Sequence, residues 1–216
     1  MIRILRLLLP GMMVALAVCS ALGGKQTPFA VYAPQLHLPA GEGTADSVHW
    51  QLLIDTPRTS TALDTNHIAV MPSAGLIEVY PAARWRDPTP LLMRSLVVLA
   101  FDSDSRISGV SAADAGMSGD YALSMELRGF QVEMNGADAQ AAVRLTAKLF
   151  DRANNRIVAT RTFDATAPAA SSDVGDAVKA FEQALDEMLP KLVAWTIEQG
   201  NLHETGKPPR KSATTP

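Results

Sequence analysis

The chain has 216 residues, with 19 basic and 22 acidic side chains, a formal net charge of −3 and a single cysteine. That length suits one globular domain with tails, large enough to bury a core. The slightly acidic balance argues against a nucleic-acid binder, which needs a basic face. One cysteine excludes an intrachain disulfide, so the fold must hold by packing alone.

Arg3 and Arg6 precede an apolar run, Leu7 to Val18, interrupted by Pro10. About twelve apolar residues span only about 18 Å as a helix, well short of a hydrocarbon core of about 30 Å. Residues 1–18 therefore read as a secretory signal peptide and not as a resident transmembrane helix. Leu16-Ala17-Val18-Cys19 resembles a bacterial lipobox, in which the cysteine sulfur takes a diacylglycerol and becomes the new N-terminus after cleavage. The alternative is an ordinary signal cleaved near Ala21 or Gly23. Ser20 follows the cysteine where an aspartate would signal retention at the inner membrane, which fits passage to the outer membrane. Removal of residues 1–18 takes away Arg3 and Arg6 and no acid, leaving 17 basic against 22 acidic residues and a net charge of −5.

Residues 19–46 then form an acylated N-terminus and flexible tether, rich in Gly, Pro, Ala and Thr, within which Phe29 to Tyr32 has the look of a short strand. The domain proper is expected over 47–200. It opens with a strand over Val48 to Asp55, ended by Thr56-Pro57-Arg58. Ile68 to Met71 and Leu76 to Tyr80 flank Pro72-Ser73-Ala74-Gly75, whose turn chemistry predicts a hairpin. Tyr80 to Pro88 reads as a loop. A helix follows to about Phe101, with Asp87-Pro88 or Thr89-Pro90 as its start and Leu92, Leu96 and Leu99, beside Val98, as its apolar stripe.

The next three strands show plain alternation. Tyr121, Leu123, Met125 and Leu127 occupy one phase; Phe130, Val132 and Met134 occupy the other. A slip of one residue would turn every side chain over unless an extra residue is absorbed, which predicts a β-bulge at Arg128-Gly129. Asn135-Gly136 is a turn. Val143, Leu145, Ala147 and Leu149 share a face in the next strand, and a strand through Phe163 follows the Asp151 to Asn155 loop. The three make an antiparallel meander with one buried face. A second helix is expected over Asp173 to Gly200, with Ser172 or Asp173 as N-cap and Gly200 just past its end. Its stripe is Val174, Val178, Phe181, Leu185, Met188 or Leu189, and Leu192, and Pro190 is expected to kink it. Residues 201–216 read as a disordered tail. The fold class is α+β: a mixed, mostly antiparallel sheet with two helices packed on it.

No catalytic constellation is legible. The four histidines stand singly and have no cysteine to join them at metal-ligand spacing. His49 reads as a partly exposed strand residue. Asp102-Ser-Asp104-Ser-Arg106 begins like a calcium loop but sets Arg where an oxygen ligand belongs. The serines lack a nucleophile elbow, and no glycine-rich phosphate loop follows a strand. Glu182 and Asp186, i,i+4 on a helix, read as a wet face. Tyr80 and Trp85, with Trp50, are either packing at a loop–helix junction or, if exposed, a partner-binding patch. Met93, Met117, Met125, Met134 and Met188 read as core filler before they read as a lipid groove.

Trp85-x-Asp-Pro-x-x-x-Leu92-x-x-x-Leu96, preceded by Tyr80 and Arg84, resembles the strand–turn–helix segment of the ABC-type transport auxiliary lipoproteins, the PqiC-like family. Asp120-Tyr-x-Leu-x-x-Glu-Leu-Arg128-x-Phe130 resembles that family's central strand. Asp151, Arg156, Val158 and Arg161-x-Phe163, followed by a long helix, continue the resemblance over residues 48–200. It implies a periplasm-facing lipoprotein, anchored to the outer membrane through Cys19. Such a protein works with an inner-membrane ABC transporter and a bridging MCE-type protein that moves lipids between membranes, with the domain docking the bridging protein as a possible homo-oligomeric ring. The resemblance implies no enzymatic role, cofactor or metal. The rival reading is a soluble periplasmic carrier that binds lipid in an apolar groove.

Overall fold

A computed structural model of the protein describes residues 28–38 and 47–206. The signal peptide, Cys19, most of the expected tether and residues 207–216 lie outside the described residues.

The clearest alternation in the sequence forms the centre of the sheet. Strands β7 (Tyr121–Asn135), β8 (Asp138–Asp151) and β9 (Arg156–Pro168) make an antiparallel meander. The expected bulge is present: the β7–β8 register shifts between Leu127 and Gly129. Gly129 fits because a Cβ there would crowd the Gln131 side chain at 3.3 Å. That side chain accepts the Phe130 backbone N–H at 2.7 Å, supplying a partner for a donor at the bulge. Tyr121, Leu123, Met125 and Leu127 before the bulge, and Phe130 and Val132 after it, are all buried.

On its other flank β7 is paired in instalments. β2 (Leu52–Ile54), β3 (Arg58–Thr59) and β4 (His67–Ser73) each run parallel to a short stretch of it. β6 (Val110–Ala112) adds beyond β2. β5 (Leu76–Trp85) forms the expected hairpin with β4, and β1 (Ala30–Tyr32) lies parallel on β5. The sheet, nine-stranded among the described residues, is thus mixed: its long pairings are antiparallel and its short ones parallel.

Several boundaries differ from the sequence reading for physical reasons. The opening strand is only Leu52–Ile54, with all three side chains buried between neighbours on both sides. His49 is exposed and outside any strand. β5 does not stop at Tyr80. It continues through Pro81 and Ala82, the latter at φ 53°, in a bulge between His67 and Ala69 of the partner strand.

Helix α1 (Thr89–Asp102) starts within a residue of the expected Asp87-Pro88 or Thr89-Pro90, with Pro88 and neither Asp87 nor Thr89 at its N-cap; the Thr89 hydroxyl donates to the Thr65 carbonyl at 2.9 Å. Its buried stripe is Leu92, Met93, Leu96, Val97, Ala100 and Phe101. Leu99, assigned to that stripe from sequence, is 48% exposed, because the packed face advances by four residues, not by three. Beyond it, Arg106 grips Asp104 with Nε at 2.9 Å and Nη2 at 2.7 Å. This hydrogen bond holds the Asp104 carboxyl below the usual carboxylate range against the opposing effect of burial.

Helix α2 (Val174–Thr205) starts at Asp173 as expected and is continuous across Pro190. It does not end at Gly200. There the indole of Trp50 lies so close that an added Cβ would meet its ring, so glycine is needed for packing rather than for termination. The last turn is pinned to the sheet: Trp50 Nε1 donates to Asn201 at 3.0 Å and the Tyr121 hydroxyl to Glu204 at 2.6 Å. Both helices cover one face of the sheet, α2 over β8 and β9, and α1 over β2 and β6. Met93, Met125 and Met188 are core residues, whereas Met117 is exposed.

Candidate functional site: an apolar hairpin with the N-terminal strand docked on it

Trp85 is 1% exposed. Its ring packs at 5.3 Å edge-on to Phe181 and 5.6 Å from Phe130, and those two phenylalanines stack at 4.6 Å. Of the two sequence readings of Trp85, packing holds, because a buried indole offers a partner no surface. The continuation of β5 past Pro81 turns its indole into the core beneath α2. Tyr80 is half-buried, and its hydroxyl, like Trp85 Nε1, has no partner among the described residues. Burial first, and the nearby Asp173 carboxylate second, push the Tyr80 phenol up.

The segment expected as free tether is in part docked. β1 pairs with Ala83 to Trp85. Beyond it, the chain runs along α2, where the Gln35 N–H donates to Glu182 at 2.8 Å and the His37 N–H to Asp186 at 2.8 Å. The pair read as a wet helix face is thus a clamp on backbone donors that no strand partner satisfies. One signal was available: neither acid has a basic residue four positions away on the helix.

Around this docked strand lie five of the exposed large apolar side chains of the described residues. Phe29 and Val31 belong to β1 and its lead-in, and Leu76, Ile77 and Val79 to the hairpin; all are roughly half exposed. The Arg84 guanidinium sits 4.9 Å over the Phe29 ring. At the middle of the sheet, Arg58, Thr59, Ser60, Glu126, Leu127 and Arg128 line an open cleft of about 630 Å³. Arg128 is held by Glu126 at 3.1 Å there, an exposed pair of small energetic weight.

One arrangement has the outline of a catalytic relay. Tyr121 Oη lies 3.3 Å from His203 Nδ1, and His203 Nε2 lies 3.6 Å from Asp151. Tyr121 is fully buried, and Asp151 accepts from Ala153, Asn154 and the Asn154 amide. These groups close a hairpin loop and tie down the end of α2.

The profile of ABC-type transport auxiliary lipoprotein components matches residues 35–193, from the docked segment to α2. The chain belongs to that family. A solved Xanthomonas campestris protein is 32% identical, with a TM-score of 0.76 over 82% of this chain and 99% of that one. A second solved structure, of an uncharacterized protein, shares the fold at 16% identity and a TM-score of 0.55, covering 84% of this chain and 100% of that one. An uncharacterized protein of Bradyrhizobium diazoefficiens is 24% identical over 184 residues, 84% of this chain. The chain spans about half of that relative's length, 49%. The auxiliary-lipoprotein family is defined by a role in transport and not by a reaction. No helix among the described residues is long and apolar enough to cross a membrane.

Proposed function

We propose that this protein is an outer-membrane-anchored periplasmic lipoprotein, the auxiliary component of an ABC/MCE-type system that moves lipid between the inner and outer membranes and sustains envelope integrity. The family match over residues 35–193 carries the reading, joined to the lipobox-like Leu16 to Cys19 upstream of it. In this role Cys19 carries the acyl chains, each buried CH₂ contributing about 0.8 kcal/mol to membrane attachment. The domain meets the MCE-type bridging protein, as a ring of copies, and the ABC transporter drives the cycle from the inner membrane.

The test is the intact mass of the mature protein extracted from membranes in detergent. Cleavage before Cys19 with three acyl chains supports the anchor, and Cys19→Ser should then release the domain from the membrane fraction and impair the envelope. An unacylated mass with cleavage near Ala21 overturns the anchored reading and favours the soluble carrier, which co-purifying phospholipid would identify. Crosslinking in cells that captures an MCE-type protein supports the partner assignment; capture of none under conditions that crosslink copies of this chain counts against it.

A further inference from the structure

The chain enters the fold beside its exposed apolar corner. β1 runs parallel to β5, with Ala30 opposite Ala83 and Tyr32 opposite Trp85. The residues before Ala30 therefore lead back along β5, toward Val79, Ile77 and the hairpin tip. Phe29 and Val31 are 54% and 57% exposed, and Leu76, Ile77 and Val79 are 46%, 45% and 45% exposed.

Register places four of these on one face. Val31 is opposite Arg84, Arg84 opposite His67, and Val79 opposite Ala69. His67 and Ala69 are two apart on β4, so Val31 and Val79 share a face, joined by Phe29 and Ile77 two residues away on their strands. Ile68 and Trp85, in the alternate phase, are buried on the helix-covered side. The patch thus faces away from both helices, and an exposed apolar patch of this kind marks an interaction surface.

Chain length brings a lipid surface within reach of it. Nine residue steps separate Cys19 from Pro28, and nine steps reach no more than about 30 Å in any conformation. A domain of roughly 170 residues is about 40 Å across, from a radius of gyration of about 15 Å. An anchor at Cys19 therefore keeps this corner of the sheet within about 30 Å of the bilayer, less than the width of the domain. Charge agrees: residues 20–27 include Lys25 and no acid, and Arg84 stands over Phe29, which suits anionic headgroups around an apolar insertion.

We infer that the exposed face of β1 and the β4–β5 hairpin seats on the lipid surface to which Cys19 is anchored, its apolar side chains entering the headgroup–acyl boundary and fixing the orientation of the domain. This rests on the lipid-anchor reading above. Acylation would consume the single natural thiol, so a cysteine introduced by Ile77→Cys can be labelled alone with an environment-sensitive nitrobenzoxadiazole dye. Thr160→Cys, on exposed β9, is the control, and Val79→Cys is a second patch position. The lipidated full-length mature protein is placed in vesicles of phosphatidylethanolamine and phosphatidylglycerol at about 3:1, with and without nitroxide-labelled lipid.

Several-fold stronger quenching at 77 and 79 than at 160 supports the inference. Equal weak quenching at all three positions, with acyl chains present by mass, overturns it and leaves the anchor intact. A mass without acyl chains overturns the anchor and the inference together. A dye at 77 that is shielded but unquenched, and becomes exposed on dilution, shows that a second copy covers the patch and overturns the lipid contact.

Discussion

Two halves of this sheet flank the same long strand, β7, and they are built differently. On one side β8 pairs with β7 from Tyr121 to Asn135, β9 pairs with β8, and α2 lies across both. Val143, Leu145, Ala147 and Leu149 are fully buried there, and Phe163 packs edge-on to Trp195 at 5.6 Å. On the other side β4 meets β7 at only three residues, Gln131 to Glu133, and the far part of the hairpin stands clear of both helices. Leu-Ile-Glu-Val-Tyr at the start of β5 is as apolar as any strand of the meander, yet most of it is exposed. Strand formation and burial are separate events: alternation makes the strand, and only a covering layer makes it core.

The contrast can be broken most forcefully in the core. Phe181→Ala removes the ring that stacks on Phe130 and meets Trp85. Urea denaturation should show a loss of about 3–5 kcal/mol, against about 0.5 kcal/mol or less for Val79→Asp in the hairpin. A large loss from Val79→Asp in the unbound protein would mean that the hairpin is covered in solution.

Gly200→Ala should be next. Alanine is the better helix former by about 1 kcal/mol, but its Cβ would collide with Trp50. Overpacking should leave a net loss of about 1–3 kcal/mol in denaturation midpoint experiments. A gain in stability would show that the indole has room to move.

The open face of the meander should show a smaller, pH-dependent effect. Arg144 grips Glu133 with Nη1 at 2.6 Å and Nη2 at 3.1 Å. That hydrogen bond holds the Glu133 carboxyl below its usual range, against the opposing effect of burial and with help from Gln131. A depressed folded-state value contributes stability above the ordinary carboxylate range, and loses it as pH falls through the folded value. Glu133→Gln should therefore cost about 1 kcal/mol at neutral pH, and its difference from the parent should vanish in acid. A difference that persists once the carboxyl is protonated in the folded protein would point to lost packing instead.

The smallest change belongs to the bulge that lets β5 continue. Ala82 sits at φ 53°, a conformation that glycine adopts without a steric penalty. Ala82→Gly should raise stability by about 0.5 kcal/mol, the relief of strain exceeding the extra chain entropy, readable as a small rise in Tm.

Much of the architecture was legible in local pattern. The phase slip between Leu127 and Phe130 located the bulge, because a strand has a period of two and cannot change face without absorbing a residue. The hairpin at Ala74-Gly75, the meander and both helix starts were similarly readable. The candidate surface was less so. Tyr80 and Trp85 drew attention as aromatics, but Trp85 went inward, and the exposed corner is made by Phe29, Val31, Leu76, Ile77 and Val79, which read only as strand residues. Glu182 and Asp186 carried only a negative local sign, the lack of a basic residue four positions away, and nothing that named what they hold, since the donors of Gln35 and His37 lie almost 150 residues away in sequence.

By itself the sequence determined the elements whose information is local: alternation, turn chemistry, the helix stripes, and the motifs that place the chain among transport auxiliary lipoproteins. Tertiary structure alone decided where those elements stop and which faces are covered. Gly200 reads as a helix terminator until Trp50 is packed against it, and β5 reads as ending at Tyr80 until β1 and β4 pair with its continuation. The physical reason is the same in both cases. Burial depends on a partner distant in sequence, and the free energy of covering an apolar surface outweighs the smaller propensities that mark the boundaries of a single element.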